Sequence, residues 1–227
     1  MALGIQTFGT AKRDLSLHVR YETPQGADTS YSSMVFDDLA GVSTLHLNAV
    51  PTSHFVPDWR YLLNDPQKGL DLLHALQRDM KLVLESDFYE NDQWKKFIYG
   101  DAINAVSFDA WCTDNIFAGC NYPPSQNQLH VQYIASPLNP FDHNKLLNEN
   151  HFHKNRFFPL EYIKQVLVKQ VELGDRAFQF DPEKDIDEII NFFNRCEIKY
   201  DDVWEKQISA AKQVSAKYQM GESKLLF

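Results

Sequence analysis

His130 is the single imidazole in a run of hydrogen-bonding side chains, Ser125-Gln126-Asn127-Gln128-Leu129-His130-Val131-Gln132-Tyr133-Ile134. In an extended strand successive side chains alternate faces. Gln128, His130 and Gln132 are therefore expected on one face, with Leu129, Val131 and Tyr133 on the other. The apolar face suits packing on a core. The polar face offers an amide, an imidazole and an amide, with the Ser125 hydroxyl upstream in the loop that follows Pro123-Pro124. A half-buried strand ordinarily spends its outer face on Lys, Glu or Thr. An imidazole, largely neutral at physiological pH, can act as a nucleophile or proton carrier, and flanking amides can donate to developing negative charge. The same histidine standing alone would be a hydrogen-bonded strand residue.

The elements that must position this stretch follow from period and punctuation. Leu15–Tyr21 alternates apolar and polar and predicts a strand, closed by turn residues Thr23 to Asp28. Ser30–Asp38 predicts a second strand, and Thr44–Val50, after a break at Gly41, a third that Pro51 ends. Asn64-Asp65-Pro66 is a helix start, and Leu70, Leu73, Leu76, Met80 and Val83 recur at helical spacing over Pro66–Glu85. Residues 86–104 are aromatic and charged with no clear period, compatible with a short helix. Val106–Cys112 alternates and predicts a strand; Thr113–Pro124 reads as a loop leading to the polar strand. After Pro137 a polar connection carries Asn139 to Arg156. Helical patterns then run over Pro159–Leu173, Glu183–Cys196 and Asp201–Met220. Strands with one central helix, then helices, indicate an α+β domain with a mainly antiparallel sheet. Residues 1–137 form its core, and 138–227 a polar connection and helical extension of the same domain.

Bulk properties narrow the function. The chain of 227 residues is 44% hydrophobic and 13% aromatic, enough for a substantial core. A net charge of −9 argues against binding nucleic acid through its backbone, while leaving room for a local anion site. The three cysteines, Cys112, Cys120 and Cys196, lack zinc-site spacing and fit a reducing compartment. Neither a signal peptide within Met1–Arg20 nor a membrane span is legible, so a cytoplasmic protein is expected.

A second motif lies upstream. Phe36-Asp37-Asp38-Leu39, followed by His46-Leu47-Asn48-Ala49-Val50-Pro51 and His54, resembles the first signature of the histidine triad (HIT) superfamily. The run from Ser125 through Gln128, His130 and Gln132 resembles that family's active-site strand, with His130 at the nucleophilic position. An ending in Gln is similar to the branch of galactose-1-phosphate uridylyltransferases, dinucleoside-polyphosphate phosphorylases and GDP-galactose phosphorylase. The likeness covers residues 30–136. It departs at Gln128, where the first histidine of the triad would stand, at Thr52 in place of a lysine, and at Asn121-Tyr122-Pro123-Pro124, which is poorer in glycine than the usual anion loop.

The resemblance implies a HIT-like antiparallel sheet with a packed helix, and attack by His130 on the α-phosphate of a nucleoside diphosphate sugar or dinucleoside polyphosphate. It assigns Gln132, Ser125 and Gln128 to the catalytic set. Phe36 and Leu39 would wall the base pocket, Asp38 would bind the ribose or only cap a turn, and Asn121 would hold the phosphate loop or only its own turn. Gln at position 132 does not titrate, which favours transfer to a phosphate-bearing acceptor over hydrolysis. Gln128 keeps open a nucleotide-binding module without turnover. No metal site is expected, although Mg²⁺ carried on substrate phosphates is compatible, as is a homodimer. His46 and His54 read as structural. His151 and His153, Lys154 and Arg156 read as solvated loop residues, the last two alternatively as contacts to distal phosphates. Cys112 and Cys120 read as small core residues.

Overall fold

The computed structural model describes residues 18–27, 30–100, 106–139, 142, 146 and 152–219. Strands β1 (Val19–Glu22), β2 (Ser33–Asp37), β3 (His46–Pro51), β4 (Ile116–Asn121), β5 (Val131–Ala135) and β6 (Phe157–Pro159) form one antiparallel sheet. Their spatial order is β1-β2-β3-β5-β4-β6. Around them lie α1 (Pro66–Val83), α2 (Asp92–Tyr99), α3 (Phe108–Asn115), α4 (Leu160–Leu173), α5 (Ile186–Arg195) and α6 (Tyr200–Gln219). The fold is α+β. Among the described residues no helix is long and apolar enough to cross a membrane.

α1 starts where its punctuation says it should. Asp65 accepts a hydrogen bond from the Lys68 amide at 3.2 Å, and Pro66 occupies the first turn. Leu70, Leu73, Leu76, Met80 and Val83 are all buried along its inner stripe, each such side chain contributing about 1.5–3 kcal/mol by leaving water. The helix packs on α4 and on strands β1 to β3. Ser33 at the start of β2 donates to the fully buried Asp79 carboxylate at 2.6 Å, fastening α1 to the sheet. α1, α4 and α6 thus cover the sheet face that carries Val35, Leu47, Ala49, Val131 and Tyr133.

Several expectations are corrected. Val106–Cys112 is not a strand: Ser107 accepts from the Ala110 amide at 3.3 Å and starts α3. Phe108 and Trp111, three apart, share one helix face within the ring cluster of Tyr89, Trp94 and Tyr99. Apolar alternation over a few residues hid that spacing. The strand lies downstream instead, as β4, inside the stretch expected to be a loop. Ile116 to Cys120 is apolar on both faces and Gly119, Cys120 and Asn121 are buried in succession, so β4 shows no polar–apolar alternation in its sequence. The first strand is Val19–Glu22, shifted from Leu15–Tyr21, of which residues 15–17 lie outside the described residues, as do His151 and Met220.

The segment after 138 contributes a strand to the sheet. β6 pairs with β4 at its edge, and the Tyr200 hydroxyl of α6 donates to the Phe157 carbonyl at 2.9 Å while accepting from the Asn155 amide at 3.0 Å. Phe158, Tyr162, Trp59 and Tyr200 stack around this joint. Gly119 permits the close approach of β6: a Cβ there would stand 2.5 Å from the Phe158 carbonyl oxygen and 2.7 Å from the Phe157 ring. Gly119→Ala is therefore expected to lower stability by about 1–3 kcal/mol, read as a lower urea midpoint, and an unchanged midpoint would contradict this packing.

Candidate functional site

The face of the sheet turned away from α1 and α4 is built by register. Asn48 on β3 lies directly opposite Gln132 on β5, and Gln132 lies opposite Gly119 on β4. Phe36 on β2 lies opposite Asn48. Side chains paired across an antiparallel ladder share a face, so Phe36, Asn48 and Gln132 form a row. His130 precedes β5 by one residue, two before Gln132. Asn121 lies two residues beyond Gly119, and continuing the register brings it toward His130. Asn48, Asn121, His130 and Gln132 are only 1%, 4%, 4% and 4% exposed.

Two histidines in this row are held in opposite tautomers. His130 Nδ1 lies 2.9 Å from the Gln128 carbonyl oxygen. A carbonyl only accepts, so Nδ1 carries the proton and the Nε2 lone pair is free. In His46 the order is reversed: Nδ1 accepts from the Val42 amide at 3.2 Å, which leaves the proton on Nε2 in the neutral ring. That Nε2 faces Asp38 Oδ2 at 3.6 Å, beyond hydrogen-bond length. Burial lowers the pKa of both rings; Asp38 pulls each the other way without cancelling the loss of water. Both are neutral near physiological pH, one a lone-pair donor and the other a proton donor.

Asp38 closes the turn after β2. Its Oδ1 accepts from the Ala40 amide and its Oδ2 from Asn48 Nδ2, each at 2.8 Å. Asn48 Oδ1, Gln132 Oε1, Asn121 Oδ1 and His46 Nε2 are all buried with no hydrogen-bond partner. Gln132 sits beside His46, yet no bond of normal length closes between them. An unpaired buried polar group costs about 1–3 kcal/mol, so the gathering of four such atoms around two histidines makes this face the candidate site for a polar ligand.

Not every expected residue joins the row. Gln128 does not continue the polar face: regular pairing starts only at Val131, and residues 125–128 form a bend. Gln128 Nε2 instead donates to the carbonyls of Pro51 at 3.0 Å and His54 at 3.2 Å, and its Oε1 accepts from the Val56 amide at 3.4 Å. It ties the loop after β3 to the segment before β5, and its own carbonyl orients His130. Ser125 is exposed in the bend, and no hydrogen bond joins it to His130. Leu39 is 51% exposed on the Asp38 turn, whereas Phe36 is buried in the row. Lys154 is held by Glu205 at 2.9 Å and Asp201 at 3.4 Å of α6. His54 is exposed, bonded to Ser53 at 2.8 Å and tilted against Tyr31. Arg156, at the start of β6, has a buried Nε without a partner and receives the Tyr122 amide on its carbonyl at 2.7 Å.

Sequence reasoning missed His46 and Asn48 as site residues. Strand alternation on β3, applied as it was to β5, places both on the polar face. Among the described residues no group of three or more His, Cys, Asp or Glu side chains is arranged to hold a metal ion. A cavity of about 480 Å³ opens on the opposite, helix-covered face and includes none of the row. The candidate site is thus the row with its two histidines, and it is separate from this cavity. No protein-family model matches this chain, and no curated protein matches it in sequence.

The tautomers and lowered pKa values have a measurable consequence. Because both folded-state pKa values lie below the unfolded 6.5, the unfolded chain binds protons first as pH falls. The stability contribution is complete above pH 6.5 and is lost as pH drops from there through the folded-state values. Urea unfolding is expected to show a higher midpoint at about pH 7.5 than at about pH 5.5, with a smaller gap in His130→Gln. Identical gaps in the two proteins would contradict the assignment.

Proposed function

We propose that the protein is a nucleotidyltransferase or phosphorylase with a HIT-like active site, acting on the α-phosphate of a nucleoside diphosphate sugar or dinucleoside polyphosphate. The observation that carries this reading is the Gln128 carbonyl bond to His130 Nδ1, which leaves the Nε2 lone pair of a neutral imidazole for attack. The Phe36–His54 and Ser125–Gln132 motifs supply the nucleotide to that ring by resemblance.

In the first step His130 Nε2 forms a bond to the α-phosphorus, and the bond from that phosphorus to the bridging oxygen breaks. The electron pair leaves with the sugar phosphate or nucleotide. In the second step an oxygen of a phosphate-bearing acceptor attacks the same phosphorus, the P–N bond breaks, and neutral His130 returns. The Gln132 amide and the His46 Nε2–H are donors for the non-bridging oxygens as charge builds. Asp38 has spent one acceptor position on each carboxylate oxygen. A carboxylate offers about four, so it can still receive a ribose hydroxyl. Phe36 and Leu39 would line the base pocket, with Asn121 beside the phosphate.

One observation favours a second reading, hydrolysis of the same substrates. Gln132 cannot titrate, but His46 beside it can pass a proton to a leaving group or take one from water.

The test uses nucleotides and nucleotide sugars radiolabelled at the α-phosphate, quenched in acid or base. An acid-labile, base-stable protein label is expected in the wild type and absent in His130→Ala. Gln132→Ala should slow its formation by about a hundredfold to a thousandfold. Product analysis with and without added inorganic phosphate then separates phosphorolysis from hydrolysis. Nucleotide binding without label or turnover across the panel would sink the enzyme and leave a binding module.

A further inference from the structure

Regular pairing of β5 begins at Val131, so no ladder bond fixes the backbone at Gln128. The His130 ring depends on that backbone all the same, because its Nδ1–H is donated to the Gln128 carbonyl at 2.9 Å. A closed set of bonds to the loop after β3 holds this carbonyl in place. The Gln128–Leu129 peptide is trans, so its N–H and C=O point in opposite directions. Its N–H donates to the Val56 carbonyl at 2.6 Å, which aims its C=O away from Val56 and at the imidazole. Val56 is held in turn by the Gln128 side chain. The Val56 amide donates to Oε1 at 3.4 Å, while Nε2 donates to the carbonyls of Pro51 at 3.0 Å and His54 at 3.2 Å.

The three partners, two carbonyls and one N–H, require two donors and one acceptor at the tip of a single side chain. A primary amide supplies that set. A neutral imidazole has one donor and one acceptor, a carboxylate has no donor, and methionine, of similar length, has none. Both Gln128 N–H groups are spent on the backbone. None is left for a substrate phosphate. Pro51 closes β3, so the brace ties the nucleophile to the end of a buried strand.

We propose that Gln128 is a positioning residue: its side chain clamps residues 51–56, and its carbonyl thereby locks His130 in the Nδ1–H tautomer with the Nε2 lone pair presented. The chemistry that this serves rests on the function proposed above, whereas the lock is a property of the chain alone. Glutamine in place of a first histidine is then a working part of the site, and putting a histidine there opens the clamp.

Nitrogen-15 spectra of the full chain labelled at histidine test the lock at pH about 8, where the rings are neutral. The His130 signals are those missing from His130→Gln. The wild type is expected to show a protonated Nδ1 and a bare Nε2, and Gln128→Met a mixture of the two tautomers. In turnover, Gln128→Met should lower kcat by about a hundredfold with KM little changed. Gln128→His should lower kcat as well. Ser33→Ala, which loosens α1 from the sheet, should lower the urea midpoint and leave the tautomer as it is. Circular dichroism confirms folding, and Gln128→His serves for both readouts if Gln128→Met does not fold. A wild type that never becomes labelled, with the lock still lost in Gln128→Met, would remove the reaction and leave the lock standing. An unprotonated Nδ1 in the wild type, an unchanged tautomer in the folded Gln128 variants, or a Gln128→His protein as fast as the wild type would overturn the proposal.

Discussion

Strand β5 has neighbours on both sides, and that sandwiching governs everything around it. Its backbone is committed to β3 on one side and β4 on the other, so its side chains can only alternate between two faces. Val131 and Tyr133 go to the helices, while Gln132 and Ile134 go to the opposite face. A one-residue slip would send Gln132 into the apolar core and Tyr133 out of it. The polar row can be placed so accurately because the apolar face leaves the register no freedom.

That row is costly to bury unpaired. Four buried polar atoms without partners, each worth about 1–3 kcal/mol, are tolerated on one sheet face. Two aromatic assemblies stiffen the fold away from the row, although Trp59 Nε1, Tyr162 Oη and Trp111 Nε1 within them are also buried without a partner. Trp59, Phe158, Tyr162 and Tyr200 lock β6 and α6 to the sheet. Tyr89, Trp94, Tyr99, Phe108 and Trp111 knit together the segment between α1 and β4. Ring pairs of this kind contribute about 0.5–1.5 kcal/mol beyond the area they bury. Asp58 and Arg60 add a buried, twice-bonded pair stacked on Tyr122 at 4.2 Å, which fixes the loop leading toward His130.

How much was legible in the sequence depended on whether a segment had one dry face or two. α1 and the C-terminal helices show a clear stripe and were placed to within a few residues. β2 and β3 were found between turn residues and Pro51. β4, dry on both sides at its end, has no period, and the neighbouring α3 is too short to display one, so each was misassigned. In the site, His130 and Gln132 stand out by type on the polar face of their strand, whereas Asp38 is reached only through its match to the upstream motif. His46 and Asn48 were hidden in a motif read as scaffold. Gln128 showed the converse: its spacing matched the row, yet it is spent on the backbone of the loop after β3. Spacing specifies a face only where the strand is regular, and regular pairing begins after His130.

The Tyr200 hydroxyl that closes β6 onto the sheet stands 43 residues after the carbonyl it binds. A chain emerging from the ribosome must therefore expose the β4–β6 edge until α6 has been made. Unpaired strand edges are templates for association with other chains. Closure of β6 by α6 thus comes late in synthesis, and between making Phe157 and making Tyr200 this edge stays open to pairing with other chains.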